Sequence, residues 1–517
     1  MCADRRPVPV ESLGPHSDLG LRVHRLMICG RHAEALVLAD ELEHAARVLG
    51  DDRSAEMVRQ GRMYALIGLE RLPEALAVGD ALLAAHRRAG RRVNEAKALA
   101  DTAEILVRMG HLHEGLYRLA AATVALDTVP RTHTRYGAAL SSVCGAARGA
   151  QLYELADEMA VLALHALPEQ AGALALQRAE VSLDWALGLE QVGLDGDAAR
   201  CYHRTVELSR HWLAENATEV EDAPLITANL AVALAKLGRH AEAETLARGL
   251  ILAMRAAGND TEARKAHLAY GVVLRDRGEY AAARREFRAA EELAEDVWQR
   301  LTFQHELALL AAAEHSDDAA GRAIRTALRT QAQYVWRQRL ERRVMMQQAR
   351  RRVELEAAQA AADRTAAQDA LTGLGNRRQF DRQIATVDES YALVLIDVDH
   401  FKTINDTFSH QTGDRILTEV AMVLRAHCRA EDTAVRLGGD EFALFLRADP
   451  AGAAQVAERI REVLAARDWS GFGADLRVTL SIGVAQCVRG MDGATLYDRA
   501  DRQLYTAKRR GRDQVAV

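Results

Sequence analysis

The 517 residues carry 67 basic and 73 acidic side chains, a formal balance of −6, and 49% of positions are hydrophobic, the composition of a folded soluble chain. Only 5% aromatic residues and 8 prolines, beside abundant Ala and Leu, exclude an all-β protein and favour packed helices. A pI near 6.3 supplies no global field for a nucleic-acid backbone, so DNA is not an expected partner.

In chain order, residues 1–25 form an N-terminal segment with three prolines and no apolar stretch of signal-peptide type. No uncharged apolar run elsewhere approaches the ~18 residues of a membrane span. The six cysteines, Cys2, Cys29, Cys144, Cys201, Cys428 and Cys487, are scattered with no C-x-x-C pair, which argues against disulfides and zinc alike. Reduced thiols and a cytoplasmic location are expected.

Residues 26–321 repeat a motif of a small residue, three variable positions, an acid and usually Ala. The acids Glu34, Glu74, Glu114, Glu154, Asp197 and Glu242 are spaced 40, 40, 40, 43 and 45 apart. A period near 40 predicts a stacked helical array. Residues 55–69 and 74–86 illustrate one unit, a helix, a tight turn and a second helix, with Gly supplying the left-handed cap and Ala allowing close approach. One such pair cannot bury its apolar stripe alone, so the pairs must stack into a superhelix with a concave binding face. The rhythm resembles tetratricopeptide repeats, and implies a sensor or interaction domain for a protein, peptide or small ligand that no motif identifies. The strings EAL at 34–36 and 74–76 also occur in cyclic di-GMP phosphodiesterases, but here they fall in phase with the repeat and lack the other carboxylates of a two-metal hydrolase. They are read as repeat positions.

Residues 322–368 lack both Pro and Gly and are dense in Arg, Gln, Glu and Ala, which predicts a long linker helix. Between 329 and 352 arginines heavily outnumber the lone acid Glu341. Two readings compete, a coiled-coil face and a basic amphipathic helix on anionic lipid. The coiled coil is preferred, because Gln and Ala interrupt the apolar stripe.

After residue 368 β-branched runs alternate with helical ones, the pattern of an α/β layer fold. Residues 391–398 (YALVLIDV) predict a buried central strand that delivers Asp397 and Asp399 at its end. Residues 434–446 (AVRLGGDEFALFL) predict a hairpin with Asp440 and Glu441 at its tip. A strand at 476–486 and helices near 413–428, 451–467 and 494–509 complete the layer. Two carboxylates ~4 Å apart at an effective dielectric near 20 repel by about 4 kcal/mol, a penalty that a hard divalent cation removes. Oxygen ligands beside phosphate describe Mg²⁺, or Mn²⁺ in its place. Gly438 and Gly439 lack a Cβ, so a phosphate can lie against the backbone there.

The run RLGGDEF at 436–442 resembles the signature of GGDEF-domain diguanylate cyclases. The likeness extends over 369–515 through DALTGLGNR at 369–377, DVDHFKTIND at 397–406, HQTGD at 410–414, SIGVA at 481–485 and AKRRGR at 507–512. It implies a nucleotidyl-cyclase palm-like domain at 369–517 that condenses two GTP into cyclic di-GMP and two pyrophosphates, working as a homodimer. The resemblance assigns Asp397, Asp440 and the Val398 carbonyl to metal, with Glu441 a further ligand or an aid to deprotonating the nucleophilic hydroxyl. It places Lys402 in catalysis, and Lys402, Lys508 and Arg512 against the polyphosphate, the latter two four apart on one helix face. Asn405 and Asp414 are implied to read guanine, with His400 and Phe401 also at the substrate. Arg429 and Asp432 match an R-x-x-D product-inhibition site, with Arg459 as its partner arginine. Departures are Gly375 where Pro is common, Ser409 where Gly is usual, a change expected to stiffen the loop carrying Asp414, and Asp513 for a frequent Asn. The alternative is a catalytically inactive receptor or scaffold for cyclic di-GMP.

Overall fold

The computed structural model describes residues 15–28, 30–166, 171–215, 223–257, 260–294, 297–315, 318–429, 431–473 and 476–517. Cys2, Cys29 and most of the N-terminal segment lie outside them. The chain forms two compact units, Met1–Leu355 and Glu356–Val517.

The first unit is helical. Its pairs include Asp52–Gly68 with Leu72–Arg88, Arg92–Arg108 with Leu112–Asp127, and Ala223–Lys236 with His240–Ala257. The array begins at Asp18–Ile28, ahead of the expected residue 26. The turns of the motif take a positive φ at Gly30, Gly110, Gly193, Gly238 and Gly278, and at Glu70 and Gln151 where the sequence supplies no Gly. The recurrent acid has a local cause. Glu34, Glu74 and Glu242 sit in the first helical turn, where they favour the helix dipole, and each pairs with an arginine three residues earlier, Arg31, Arg71 and Arg239. The alanine that follows is wholly buried at Ala35, Ala75 and Ala243.

The helix Ala319–Ala366 is 48 residues long. Up to residue 355 it belongs to the first unit and packs on the repeats through its arginines. Arg339 is 2% exposed, donates from Nε to the Gln151 carbonyl at 2.9 Å, and pairs with Glu154. Its guanidinium lies 5.3 Å from the Tyr153 ring centre and 4.4 Å from that of Trp336. Arg343 reaches Glu154 at 3.0 Å, and Arg350 reaches Asp127 at 2.7 Å. Met346 enters the core formed by the helices between 83 and 181. The opposite face keeps Tyr334, Leu340, Val344 and Leu355 exposed.

The second unit is a five-stranded sheet flanked by helices numbered here from the start of this unit. Its strands are β1 Ala392–Val398, β2 Thr433–Gly438, β3 Glu441–Leu446, β4 Leu480–Gln486 and β5 Gln514–Ala516, in the order β2-β3-β1-β4-β5. β1 is antiparallel to both neighbours, and β4 and β5 are parallel. Every residue of β1 is buried, as its continuous apolar run requires. The helices are α1 Arg377–Ile384, α2 Phe401–Phe408, α3 His410–His427, α4 Pro450–Ala465 and α5 Gly493–Arg509. Ile396 and Val420 belong to the core on one face of the sheet, Leu395 and Leu504 to that on the other. β4 starts four residues later than the sequence pattern suggests, because residues 476–479 form no regular ladder.

Candidate active site

The β2–β3 turn and the end of β1 meet through register. Asp397 stands opposite Glu441 on one side and Ser481 on the other, so these three side chains share one face. The Val398 amide donates to the Asp440 carbonyl at 3.2 Å, which fixes the turn against β1. Gly438 and Gly439 adopt φ of 151° and 55°, and a Cβ built on either meets no atom within 4 Å. The bend therefore combines a conformation that favours glycine with open space above it.

Asp397 is buried, and its Oδ2 accepts from Lys508 Nζ at 2.6 Å. Burial raises its pKa above the usual carboxylate value, Lys508 opposes that rise, and Asp440 and Asp399 add to it. Lys508 is thus paired to the acid, whereas the sequence reading set it against phosphate alone. Asp399 turns elsewhere. It accepts from Thr479 Oγ1 at 2.8 Å, Ser481 Oγ at 2.7 Å and the Asp513 amide at 3.1 Å, bonds that tie β1 to β4 and to the start of β5. Asp399, expected beside Asp397 at the strand end, is thus a structural carboxylate. Among the described residues no three His, Cys, Asp or Glu side chains are already gathered for a metal ion. The donor types at Asp397, the Val398 carbonyl, Asp440 and Glu441 nonetheless suit a hard cation, since each is an oxygen.

Arg512 is also corrected. α5 ends at Arg509, and Arg512 follows in a left-handed turn with φ 65°, so it shares no helix face with Lys508. Its Nε lies 3.9 Å from Asp399 Oδ1.

His400 begins α2 with φ 56°. Within that helix Asn405 is half-buried, and its Oδ1 has no hydrogen-bond partner. Gly413 makes this placement possible: a Cβ there would collide with Asn405 Oδ1 and come within 3.0 Å of Phe401 Cζ. Asp414, the next residue, is exposed, as are His400 and Lys402. An unpartnered acceptor beside an exposed carboxylate is what a ring with adjacent N–H donors requires.

Asp432 uses both oxygens on backbone, accepting the Arg429 amide at 2.8 Å and the Arg447 amide at 2.9 Å. Arg429 and Arg459, the latter on α4, are exposed. Arg436 is the group that the sequence reading quoted without a role. Its Nε and NH2 hold the Gly439 carbonyl at 2.9 and 2.8 Å, and its NH1 meets Asp369 at 3.1 Å. Asn376 caps α1, and its Nδ2 reaches the Ala366 and Gln368 carbonyls, so the end of the long helix is tied to the segment that pairs with β2. The sequence carried these residues in its RLGGDEF and DALTGLGNR stretches without showing that they meet.

Residues 366–514 match the family described as "Diguanylate cyclase, GGDEF domain". The chain carries a GGDEF domain. Outside this domain the chain is mostly helical, as described above. Diguanylate cyclase A of Treponema denticola is 40% identical over 131 residues, which cover 25% of this chain and 35% of that protein. DgcS of Shewanella oneidensis is 36% identical over 152 residues, 28% of this chain and 50% of its own. The coiled coil and GGDEF domain of DgcB from Caulobacter crescentus, solved with c-di-GMP, is 33% identical with a TM-score of 0.31, covering 34% of this chain and 98% of the solved one. The chain thus spans half or less of the length of these two cyclases, and the likeness lies in the GGDEF domain.

Proposed function

We propose that the chain is a diguanylate cyclase, with a helical-repeat sensor at 26–321, a linker helix at 322–368 and the catalytic GGDEF domain at 369–517. The 3′-oxygen of one GTP attacks the α-phosphorus of a second and the bond to pyrophosphate breaks; the reciprocal attack closes the ring. Each GGDEF domain holds one GTP, so two chains face each other. The bare bend at Gly438 and Gly439 admits the phosphates, Asn405 and Asp414 accept from guanine N1 and N2, and His400 and Phe401 border the nucleotide. Asp397, the Val398 carbonyl, Asp440 and Glu441 would hold Mg²⁺ or Mn²⁺, which supplies charge stabilisation at the transferring phosphoryl group. Lys402 and Arg512 add positive charge near the polyphosphate, and Lys508 keeps Asp397 oriented. Arg429, Asp432 and Arg459 form the product-inhibition site, where the arginine forks suit guanine edges. The protein acts in the cytoplasm; no described helix is long and apolar enough to cross a membrane.

The observation that supports this reading best is the open glycine bend next to Glu441, which stands in register with the buried Asp397. Pure protein with GTP and Mg²⁺ should yield cyclic di-GMP and pyrophosphate, and Asp440→Ala should lower the rate by about a hundredfold or more. A parent protein that binds cyclic di-GMP yet makes none would replace the enzyme with a receptor. Asp414→Ser should loosen base choice, seen as consumption of ATP or ITP beside GTP.

A further inference from the structure

The turn between α5 and β5 has a strained backbone. Gly511, Arg512 and Asp513 take φ of 117°, 65° and 44° in succession, and two of the three carry side chains. Residues other than glycine are strained in the left-handed region, and such strain persists only where the surroundings over-determine it. Three hydrogen bonds hold the turn from below. The Arg512 amide donates to the Ala507 carbonyl at 3.1 Å, Gln514 Nε2 donates to the same carbonyl at 3.0 Å, and the Asp513 amide donates to Asp399 Oδ2 at 3.1 Å. Asp399 is itself fixed by Thr479 and Ser481, so the last of these is a rigid anchor.

The fourth tie comes from α4. Arg461 NH1 donates to Asp513 Oδ1 at 2.8 Å, while its Nε and NH2 close on Glu458 Oε1 at 3.0 and 2.6 Å. Arg461 is half-buried, and each of its guanidinium nitrogens is engaged, which leaves none to meet a nucleotide. Asp513 stands where Asn is frequent in the family that the sequence resembles. The exchange has a physical use here, since a carboxylate takes a charge-assisted bond from an arginine that an amide takes more weakly.

Arg512 sits inside this frame. It is exposed, and its Nε lies 3.9 Å from Asp399 Oδ1, beyond hydrogen-bond distance, so the turn beneath it sets where its guanidinium stands. We propose that Arg461 is a positioning residue: acting through Asp513, it locks the left-handed turn that presents Arg512 to the GTP polyphosphate. The inference rests on the cyclase reading above, which puts Arg512 at that polyphosphate.

Steady-state kinetics of the full chain with GTP and Mg²⁺ test it. Arg461→Gln should raise KM for GTP at least fivefold with kcat within twofold of the parent, because a displaced Arg512 loses binding that ground state and transition state share. Arg461→Lys keeps a cation for Asp513 and should hold the rise in KM below threefold. Glu458→Gln leaves the Arg461–Asp513 pair standing and should keep KM within twofold of the parent. Arg512→Gln should raise KM at least as far as Arg461→Gln does, and adding Arg461→Gln to it should raise KM no further. An Arg461 that only stabilises the fold would instead lower the unfolding midpoint and kcat while KM stayed put. That result, a rise in KM that adds to the Arg512→Gln effect, or an equal rise in Glu458→Gln would overturn the inference and leave the cyclase reading in place. A parent protein with no GTP turnover would overturn both.

Discussion

Ser409 holds φ 128° and ψ 159°, a region that is nearly glycine-only and costs about 1–3 kcal/mol for other residues. Its hydroxyl recovers part of that by capping α3, accepting the Thr412 amide at 3.3 Å. Losing a serine cap to glycine costs only a few tenths of a kcal/mol. Ser409→Gly should therefore stabilise the GGDEF domain by about 1 kcal/mol in urea unfolding; a lower midpoint would show that the cap outweighs the backbone strain. The departure from glycine was visible in the sequence, but its cost was not, since only the backbone angle reveals it. His86 offers a second residue-scale case. Burial pushes its pKa down to about 4, with Arg135 and Arg91 acting in the same direction. The folded chain thus keeps the ring neutral while the unfolded chain protonates it near pH 6.5, so stability falls as pH drops from about 6.5 toward 4, by at most about 3 kcal/mol. His86→Gln should flatten that part of the acid unfolding curve of the repeat unit.

At the scale of elements, the repeat helices were legible because period, turn glycine and buried alanine recur together. The β1 strand and the hairpin were legible from continuous apolar runs around a Gly-Gly turn. Three features were not. The arginine-rich helix advertised its charge but not its partners, since Gln151 and Glu154 lie 188 and 185 residues from Arg339, and a helix stripe alone cannot distinguish solvent from another helix. The parallel strand β5 is only three residues long and carries no periodic signal. Asp399 shares the strand end with Asp397, and only the fold assigns one to the glycine bend and the other to Thr479 and Ser481. Arg339→Ala should cost roughly 2 kcal/mol, because it leaves the Gln151 carbonyl without its donor and removes the guanidinium packed on Tyr153 and Trp336, while Glu154 keeps Arg343. Arg339→Lys should recover little of that, since a lysine cannot bridge both acceptors while stacking on Trp336. Urea unfolding of the repeat unit reads both.

For the whole molecule, the long helix is the covalent route between units. Residues 355–362 are exposed and the helix continues through them. Ala358→Pro breaks a helix interior at a cost of about 3 kcal/mol without touching a packed contact of either unit. Both units should retain their own unfolding transitions, while GTP turnover should change severalfold from the parent if helix continuity governs the GGDEF domain. Unchanged turnover would sever that link.

The docking of the long helix also limits how the array can evolve. Arg329 lies beside Gly193, Arg339 grips Gln151 and Glu154, Arg350 reaches Asp127, and Arg352 lies over Tyr117. Its numbering climbs as theirs descends, over roughly 35 Å of helix. The helix is in effect a ruler laid along the middle of the array. Duplication or loss of a pair between residues 112 and 193 would throw the marks on its two sides out of register with each other, while pairs nearer the N-terminus can multiply or vanish without moving one.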